Sequence, residues 1–94
     1  MAGYWIIRGN LRDAAALEEY AARFQPIGAR YSVSIVAGKG QVQTVEGPEY
    51  GRNLVIRFDS YEAAVACYQD PEYQALLPLV ERAQQRELVI LEGD

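Results

Sequence analysis

Arg52 and Asn53 are the pair of residues best suited to binding chemistry. They follow the loop Gly47–Gly51 and open an apolar strand. A guanidinium fork and an amide can together hold a carboxylate or enolate oxygen of a small ligand. The alternative is structural: Asn53 ties down the loop backbone and Arg52 pairs with Glu46 or Glu92, since such ion pairs are commoner than binding sites. Both interpretations stay open at this point.

Tyrosines form a second set of candidates, because the chain has seven in 94 residues. Tyr20, Tyr68 and Tyr73 fall on segments with helical spacing, and their hydroxyls could donate hydrogen bonds into a cleft between helix and sheet. A helix break at Asp70 would separate the backbones of Tyr68 and Tyr73 and leave a recess. The alternative is that these rings are ordinary core.

Several kinds of chemistry lack their usual residues. The chain has no histidine and only one cysteine, Cys67, which removes histidine-based catalytic triads, histidine or thiolate metal sites and a histidine ligand for haem. The short stretch Gly38-Lys39-Gly40 reads as a plain turn rather than a phosphate loop. The alanines around Cys67 predict a packed helix face and a buried, inert thiol. We expect neither a metal nor a cofactor.

The charge balance excludes another class of partner. The net charge is −4, with one lysine and scattered arginines, whereas nonspecific nucleic-acid binding needs clustered cations. We expect no nucleic-acid partner. No apolar run approaches the roughly 20 residues needed to cross a bilayer, and the start lacks a charged leader. With a single cysteine, the sequence predicts a cytoplasmic protein that is not bound to a membrane.

The elements that must position these residues follow from periodicity. Period-two or β-branched runs predict four main strands: Tyr4–Arg8, Tyr31–Val36, Leu54–Phe58 and Leu88–Leu91. Apolar residues at three- and four-residue spacing predict a helix from Asp13 that Pro26 and Gly28 end. A second helical stretch begins at Tyr61 behind a Ser60 cap and runs to about residue 83, divided near Asp70.

One further alternating segment, Gln41–Glu46, follows the turn at Gly38-Lys39-Gly40. It predicts a short hairpin arm that extends the sheet before Gly47-Pro48 breaks it. The whole order predicts an α+β, ferredoxin-like βαββαβ fold with this extra arm and an antiparallel sheet, as a single domain over residues 1–94. Right-handed crossovers place both helices on one face of the sheet.

The face without helices should also be apolar. In the last strand Leu88 and Ile90 point one way while Val89 and Leu91 point the other. Such a bare apolar face exceeds what a monomer usually exposes, so the sequence predicts a homodimer in which a second sheet covers it.

Five short strings stand along the chain: Tyr4-Trp5-Ile6, Glu46-Gly47, Arg52–Ile56, Cys67-Tyr68 with Pro71–Gln74, and Val89–Gly93. In their order and spacing they resemble the family catalogued as domain of unknown function 1330. The resemblance covers nearly the whole chain. It implies membership of the dimeric α/β-barrel superfamily, with a ferredoxin-like protomer whose sheet packs against the sheet of its partner.

The resemblance implies fold more than function. The leading interpretation is a small homodimeric domain that binds a small anionic or aromatic organic molecule in a cleft between helix and sheet. One alternative is a cofactor-independent isomerase, decarboxylase or monooxygenase acting on an activated aromatic or dicarbonyl compound, with Arg52 or Arg57 steadying an enolate. Another is a non-enzymatic sensor or a partner of a second protein.

Overall fold

A four-stranded antiparallel sheet is the base of the molecule in the computed structural model, which describes residues 1–94. The strands lie in the order β2-β3-β1-β4. Their bounds are β1 Gly3–Leu11, β2 Ser34–Ala37, β3 Arg52–Phe58 and β4 Gln84–Glu92. The helices are α1 Ala14–Arg30, α2 Tyr61–Gln69, α3 Pro71–Gln74 and α4 Leu77–Ala83. This order confirms the ferredoxin-like βαββαβ prediction.

One face of the sheet carries all the helices and the core. Trp5 and Phe58 have no exposed surface, and Ile7 and Ile56 from the same face are also buried. The indole nitrogen of Trp5 donates to the carbonyl oxygen of Ala64 at 2.9 Å, which ties β1 to α2. Alternation along β1 and β3 therefore assigns every second residue to the helix-covered side.

Helix α1 is longer than the sequence predicts. Asp13 caps it by accepting from the backbone N–H of Ala16, and the helix continues through Pro26 and Gly28 to Arg30. Pro26 lies on the exposed side, where water can satisfy the carbonyl that loses its partner. Gly28 is buried and packs closely, because a Cβ there would lie 2.7 Å from a methyl carbon of Val33.

The second helical stretch breaks at Asp70, as predicted. Ser60 caps α2 by accepting from the N–H of Ala63 at 3.0 Å. Asp70 caps α3 by accepting from the N–H of Glu72 at 2.9 Å. Pro71 occupies the first turn of α3, where its missing N–H costs no helical hydrogen bond.

The strands are displaced from their predicted bounds at the ends. β1 extends past Gly9 to Leu11, β3 begins at Arg52, and β4 begins at Gln84, four residues before the predicted start at Leu88. β2 is shorter and later than predicted, because Ser32 adopts a positive φ of 54° that keeps the chain in a turn after α1. The longer β4 brings Gln84 and Arg86 into the sheet.

The predicted hairpin arm is wrong. Residues 41–46 form no strand and take part in no backbone–backbone hydrogen bond. Gly38, with a φ of +126°, turns the chain away from β2, so the alternating segment has no neighbouring strand to pair with. Val42 and Val45 of this loop are exposed at 56% and 80%.

The face of the sheet opposite the helices is less apolar than predicted, because Arg8, Glu87 and Arg57 also lie on it, and its apolar part is the central strip. Ile6 lies at its centre, paired with Val55 on one side and Val89 on the other. Val89 and Leu91 are each about half exposed, at 52% and 51%. No helix of the protein is both long enough and apolar enough to cross a membrane.

Candidate functional site

A cleft of about 770 Å³ lies between α1 and the helix-covered face of the sheet. Most of its lining is hydrophobic, and α1 and all four strands contribute residues to it. Against this apolar lining stand a few polar side chains: Glu18, Tyr20, Gln25, Lys39, Arg52, Gln84 and Arg86. An apolar cleft with a small number of placed polar groups is the usual form of a small-molecule site.

Two arginines in this lining occupy one row of the sheet. Arg52 on β3 and Arg86 on β4 both pair with Gly9 on β1. Side chains of one row point to the same face, so both arginines rise on the cleft side. Their Cα atoms are two strand spacings apart, about 10 Å. Gly9 between them contributes no side chain, and a Cβ there would lie 2.2 Å from the carbonyl oxygen of Gln85, so the glycine allows β4 to pack closely against β1 at this row.

Arg86 is held by two tyrosines. Its Nη2 donates to the hydroxyl oxygen of Tyr73 at 2.8 Å, and its guanidinium lies 5.8 Å from the ring centroid of Tyr20. Burial disfavours the charged guanidinium, but the neighbouring hydroxyls of Tyr73 and Tyr20 outweigh that effect and raise the pKa of Arg86 above its ordinary value. Arg86 is therefore a fixed, fully charged cation.

The hydroxyls of Tyr20 and Tyr73 lie 2.9 Å apart. Burial raises the pKa of Tyr73, so this phenol stays protonated. Because arginine can only donate, the Tyr73 oxygen accepts from Arg86, and its own buried proton is satisfied only if it is donated to Tyr20. That direction leaves the hydroxyl proton of Tyr20, which lines the cleft, free to donate to a ligand.

Arg52 has a buried and unpartnered nitrogen. Its Nε is shielded from solvent and makes no hydrogen bond, and the same holds for Oε1 of Gln84 in the same cleft. No carboxylate lies within 4.0 Å of Arg52 or Arg86, so the pairing of Arg52 with Glu46 or Glu92 considered from the sequence does not form. Buried polar atoms normally have partners, so the lack of one at both atoms requires an explanation.

Asn53 ties down the loop backbone, which is the structural alternative to ligand binding considered from the sequence. Its Nδ2 donates to the carbonyl oxygen of Tyr50 at 3.0 Å, and its Oδ1 accepts from Nε of Arg8 at 3.1 Å. Arg8 in turn lies over the Tyr50 ring, 4.4 Å from its centroid. Asn53 therefore anchors the loop end that precedes Arg52.

The other predicted site residues lie apart from the cleft. Tyr68 and Tyr73 have ring centroids 5.4 Å apart within an aromatic cluster around Trp5, and neither lines the cleft. Arg57 points to the opposite face of the sheet, 3.9 Å from Asp59. Of the six candidates, the structure brings Arg52 and Tyr20 into the cleft, with Tyr73 behind them through Arg86.

Cys67 is fully buried, as the small residues around it predict. Burial raises the pKa of its thiol to about 12, which keeps the sulfur protonated and unreactive. No three side chains among Cys, Asp and Glu are grouped so that they could hold a metal ion.

Arg86 and Gln84 are the residues that the sequence analysis missed. A strand beginning at Leu88 left them outside the sheet. The signal was nonetheless present, because Gln84, Arg86, Leu88 and Ile90 follow one another at period two on the face that the helices cover.

The sequence also places the chain among known proteins. The family model described as "Domain of unknown function (DUF1330)" matches residues 2–94. The chain belongs to this family. No curated protein matches the DUF1330 chain in sequence. Solved structures resemble it at low identity, and this likeness concerns the fold.

The RPA0582 protein of unknown function from Rhodopseudomonas palustris superposes with a TM-score of 0.80 at 18% identity, covering 99% of this chain and 82% of that one. A dimeric ferredoxin-like protein of unknown function from Bacteroides fragilis gives a TM-score of 0.60 at 17% identity, with 98% and 96% covered. SnoaB, a cofactor-independent oxygenase from Streptomyces nogalater, gives 0.67 at 13% identity, with 99% and 93% covered. The DUF1330 chain thus shares the ferredoxin-like fold of proteins that include dimers.

Proposed function

We propose that this DUF1330 protein binds a small aromatic molecule bearing anionic or enolic oxygens in the cleft between α1 and the sheet. One observation carries the proposal: Arg52 and Arg86 flank Gly9 in a mostly apolar cleft, and no carboxylate neutralises either guanidinium. A charge turned toward an apolar space is costly unless it is paired. An oxygen-bearing ligand supplies that pairing.

The walls of the cleft favour a flat, aromatic body. The rings of Tyr20 and Phe24 on α1 are stacked, with centroids 5.9 Å apart and planes at 14°. Both rings line the cleft, opposite aliphatic side chains such as Leu54 and Ile56 on β3. Rings of this kind gain from offset stacking with a ligand ring in addition to the burial of apolar surface.

We also propose that two copies pair through the apolar face of the sheet. Ile6, Val55 and Val89 lie side by side at the centre of this face. A contiguous apolar patch of this kind is a usual site of association. Neighbours of the same fold are described as dimeric, which supports a homodimer with its two ligand clefts on the outside, away from the joined sheets.

Calorimetric titration with 6-hydroxy-2-naphthoate tests the binding proposal. This compound is flat and carries a carboxylate at one end and a hydroxyl at the other. Hydrogen bonds to charged groups contribute about 1.5 to 3 kcal/mol, so Arg86→Met should weaken binding roughly tenfold to a hundredfold. Ala21→Trp, at an exposed position in the lining, should fill the cleft and abolish binding.

Arg82→Met is the matched control, because Arg82 is exposed on α4 and lines neither the cleft nor its surroundings. It should bind like the wild type. If a folded Arg86→Met variant and Ala21→Trp both bind as tightly as the wild type, the cleft is not the site. The compound should be recovered unchanged after incubation in air, whereas an oxidised product would point instead to the activity named for SnoaB.

A further inference from the structure

A second, smaller cavity of about 310 Å³ adjoins the cleft beside β3, and we call it the annex. Four of its lining residues, Ile35, Lys39, Arg52 and Leu54, also line the cleft. The annex is completed by Gly38, Gly51 and Asn53. Unlike the cleft, it has few hydrophobic residues in its lining, and these are Ile35 and Leu54.

The annex is cationic. Lys39 is the only lysine of the chain, and it stands with Arg52 in a lining that contains no acidic residue. Neither side chain forms a salt bridge. The buried, unpartnered Nε of Arg52 belongs to the same wall. In a protein with a net charge of −4, this is a local concentration of unneutralised positive charge.

Glycine and asparagine residues fix the shape of the annex. At Gly38, a Cβ would lie 2.4 Å from the carbonyl oxygen of Asn53, so only glycine allows this close approach beside the start of β3. At the other end of the loop, the N–H of Gly51 donates to Oδ1 of Asn10 at 2.9 Å. Both ends of the loop are therefore held against the sheet, which places Lys39 in the same wall as Arg52.

We propose that the annex holds a carboxylate at one end of the ligand, bound by Arg52 and Lys39, while the apolar body extends into the cleft. This inference rests on the proposed function and specifies its ligand class. Arg52 and Arg86 stand about 10 Å apart across Gly9. The ligand is therefore an elongated aromatic acid whose far end carries an oxygen that accepts from Arg86 and Tyr20.

The test compares 6-hydroxy-2-naphthoate with 6-hydroxy-2-naphthamide, its neutral analogue of the same shape, by calorimetric titration. The wild type should bind the acid at least about tenfold more tightly than the amide, as expected of a charge-assisted contact. Lys39→Gln should weaken binding of the acid about three- to tenfold and leave binding of the amide unchanged. The expected loss is modest because an exposed lysine contributes less to affinity than a buried one. Arg86→Met should weaken both compounds by the same factor.

Arg82→Gln removes one positive charge outside both cavities and controls for the overall field of the protein, so it should preserve the preference for the acid. Equal affinity for acid and amide, unaffected by Lys39→Gln but abolished by Ala21→Trp, would overturn the annex proposal and leave the cleft as a binding site. Failure of the wild type to bind either compound would overturn the proposed function and the annex together. Lys39 is exposed, so its replacement leaves the fold intact.

Discussion

Arg52 and Arg86 lie opposite the same residue of β1, the side-chain-free Gly9, on the two strands that flank it. Nothing from Gly9 separates their guanidinium groups, and no carboxylate lies within 4.0 Å of either. This arrangement contributes little to the stability of the fold, because an unpaired charge beside an apolar cleft is costly. In the proposed function, a ligand brings the missing negative charge.

Tyr73→Phe should reduce both stability and ligand affinity. The substitution removes the hydroxyl that accepts from Arg86 and contacts the Tyr20 hydroxyl, and leaving a buried donor unpaired costs about 1 to 3 kcal/mol. Urea denaturation should report this loss, and titration should report weaker binding of 6-hydroxy-2-naphthoate because Arg86 is no longer held in place. Arg86 is the contact in this account and Tyr73 is its positioning residue.

Tyr68→Phe is the matched control for that variant. Tyr68 belongs to the same aromatic cluster, with its ring 5.9 Å from Trp5, and its hydroxyl makes no hydrogen bond within the protein, in contrast to that of Tyr73. Its removal should change stability by less than about 0.5 kcal/mol. Equal stability and equal affinity of the two variants would contradict the positioning role of Tyr73.

Much of this fold can be predicted from the sequence, because the positions of its strands and helices depend on local signals. Period-two runs mark the strands, while Ser60 and Asp70 mark helix starts through their side-chain caps. Two predictions failed for reasons that lie outside the local sequence. Alternation at 41–46 does not reveal that no strand stands beside it, and Pro26 is tolerated in α1 only because it faces solvent.

Asp70 should make stability depend on pH in the acidic range. The Tyr31 hydroxyl, the N–H of Glu72 and the Arg30 guanidinium all donate to this carboxylate, which lowers its pKa below the ordinary value. A carboxyl with a lower pKa in the folded state stabilises fully above the unfolded-state pKa of about 3.9, and that contribution is lost as the pH falls through the folded pKa.

Asp70→Asn should therefore melt below the wild type at pH 7, and the difference in Tm should shrink as the pH falls below about 4. The asparagine keeps the capping role, so the pH-dependent part reports the charge. Asp59→Asn is the control, because Asp59 is exposed and only 3.9 Å from Arg57, and it should change the Tm little at any pH. A Tm difference for Asp70→Asn that is constant from pH 7 to pH 2 would refute this role.

Val89→Lys should disrupt the proposed homodimer. Val89 lies beside Ile6 on the apolar face and is 52% exposed in the single chain, so lysine fits the monomer but places a charge within the joined sheets. Light scattering should give twice 10.5 kDa for the wild type and 10.5 kDa for the variant. Ala22→Lys, at an exposed position on α1, should stay dimeric, and a wild type that is monomeric at micromolar concentration would show the interface to be absent.

The candidate site was only half predictable from the sequence. Arg52 stands out because it follows a loop and opens a strand. Arg86 does not stand out, because its importance comes from pairing with Gly9, the residue that Arg52 also pairs with. Gly9 precedes Arg52 by 43 positions and Arg86 by 77 positions. Such a coincidence depends on the register of two strand pairs, and that register is set by packing of the whole sheet.

A crystal structure of the protein with 6-hydroxy-2-naphthoate tests the central claim most directly. The account predicts that the ring lies between α1 and the sheet beside Tyr20 and Phe24, with its carboxylate between Arg52 and Lys39 and its hydroxyl oxygen within hydrogen-bond distance of Arg86. An empty cleft at saturating ligand, or a compound bound on the opposite face of the sheet, would contradict it.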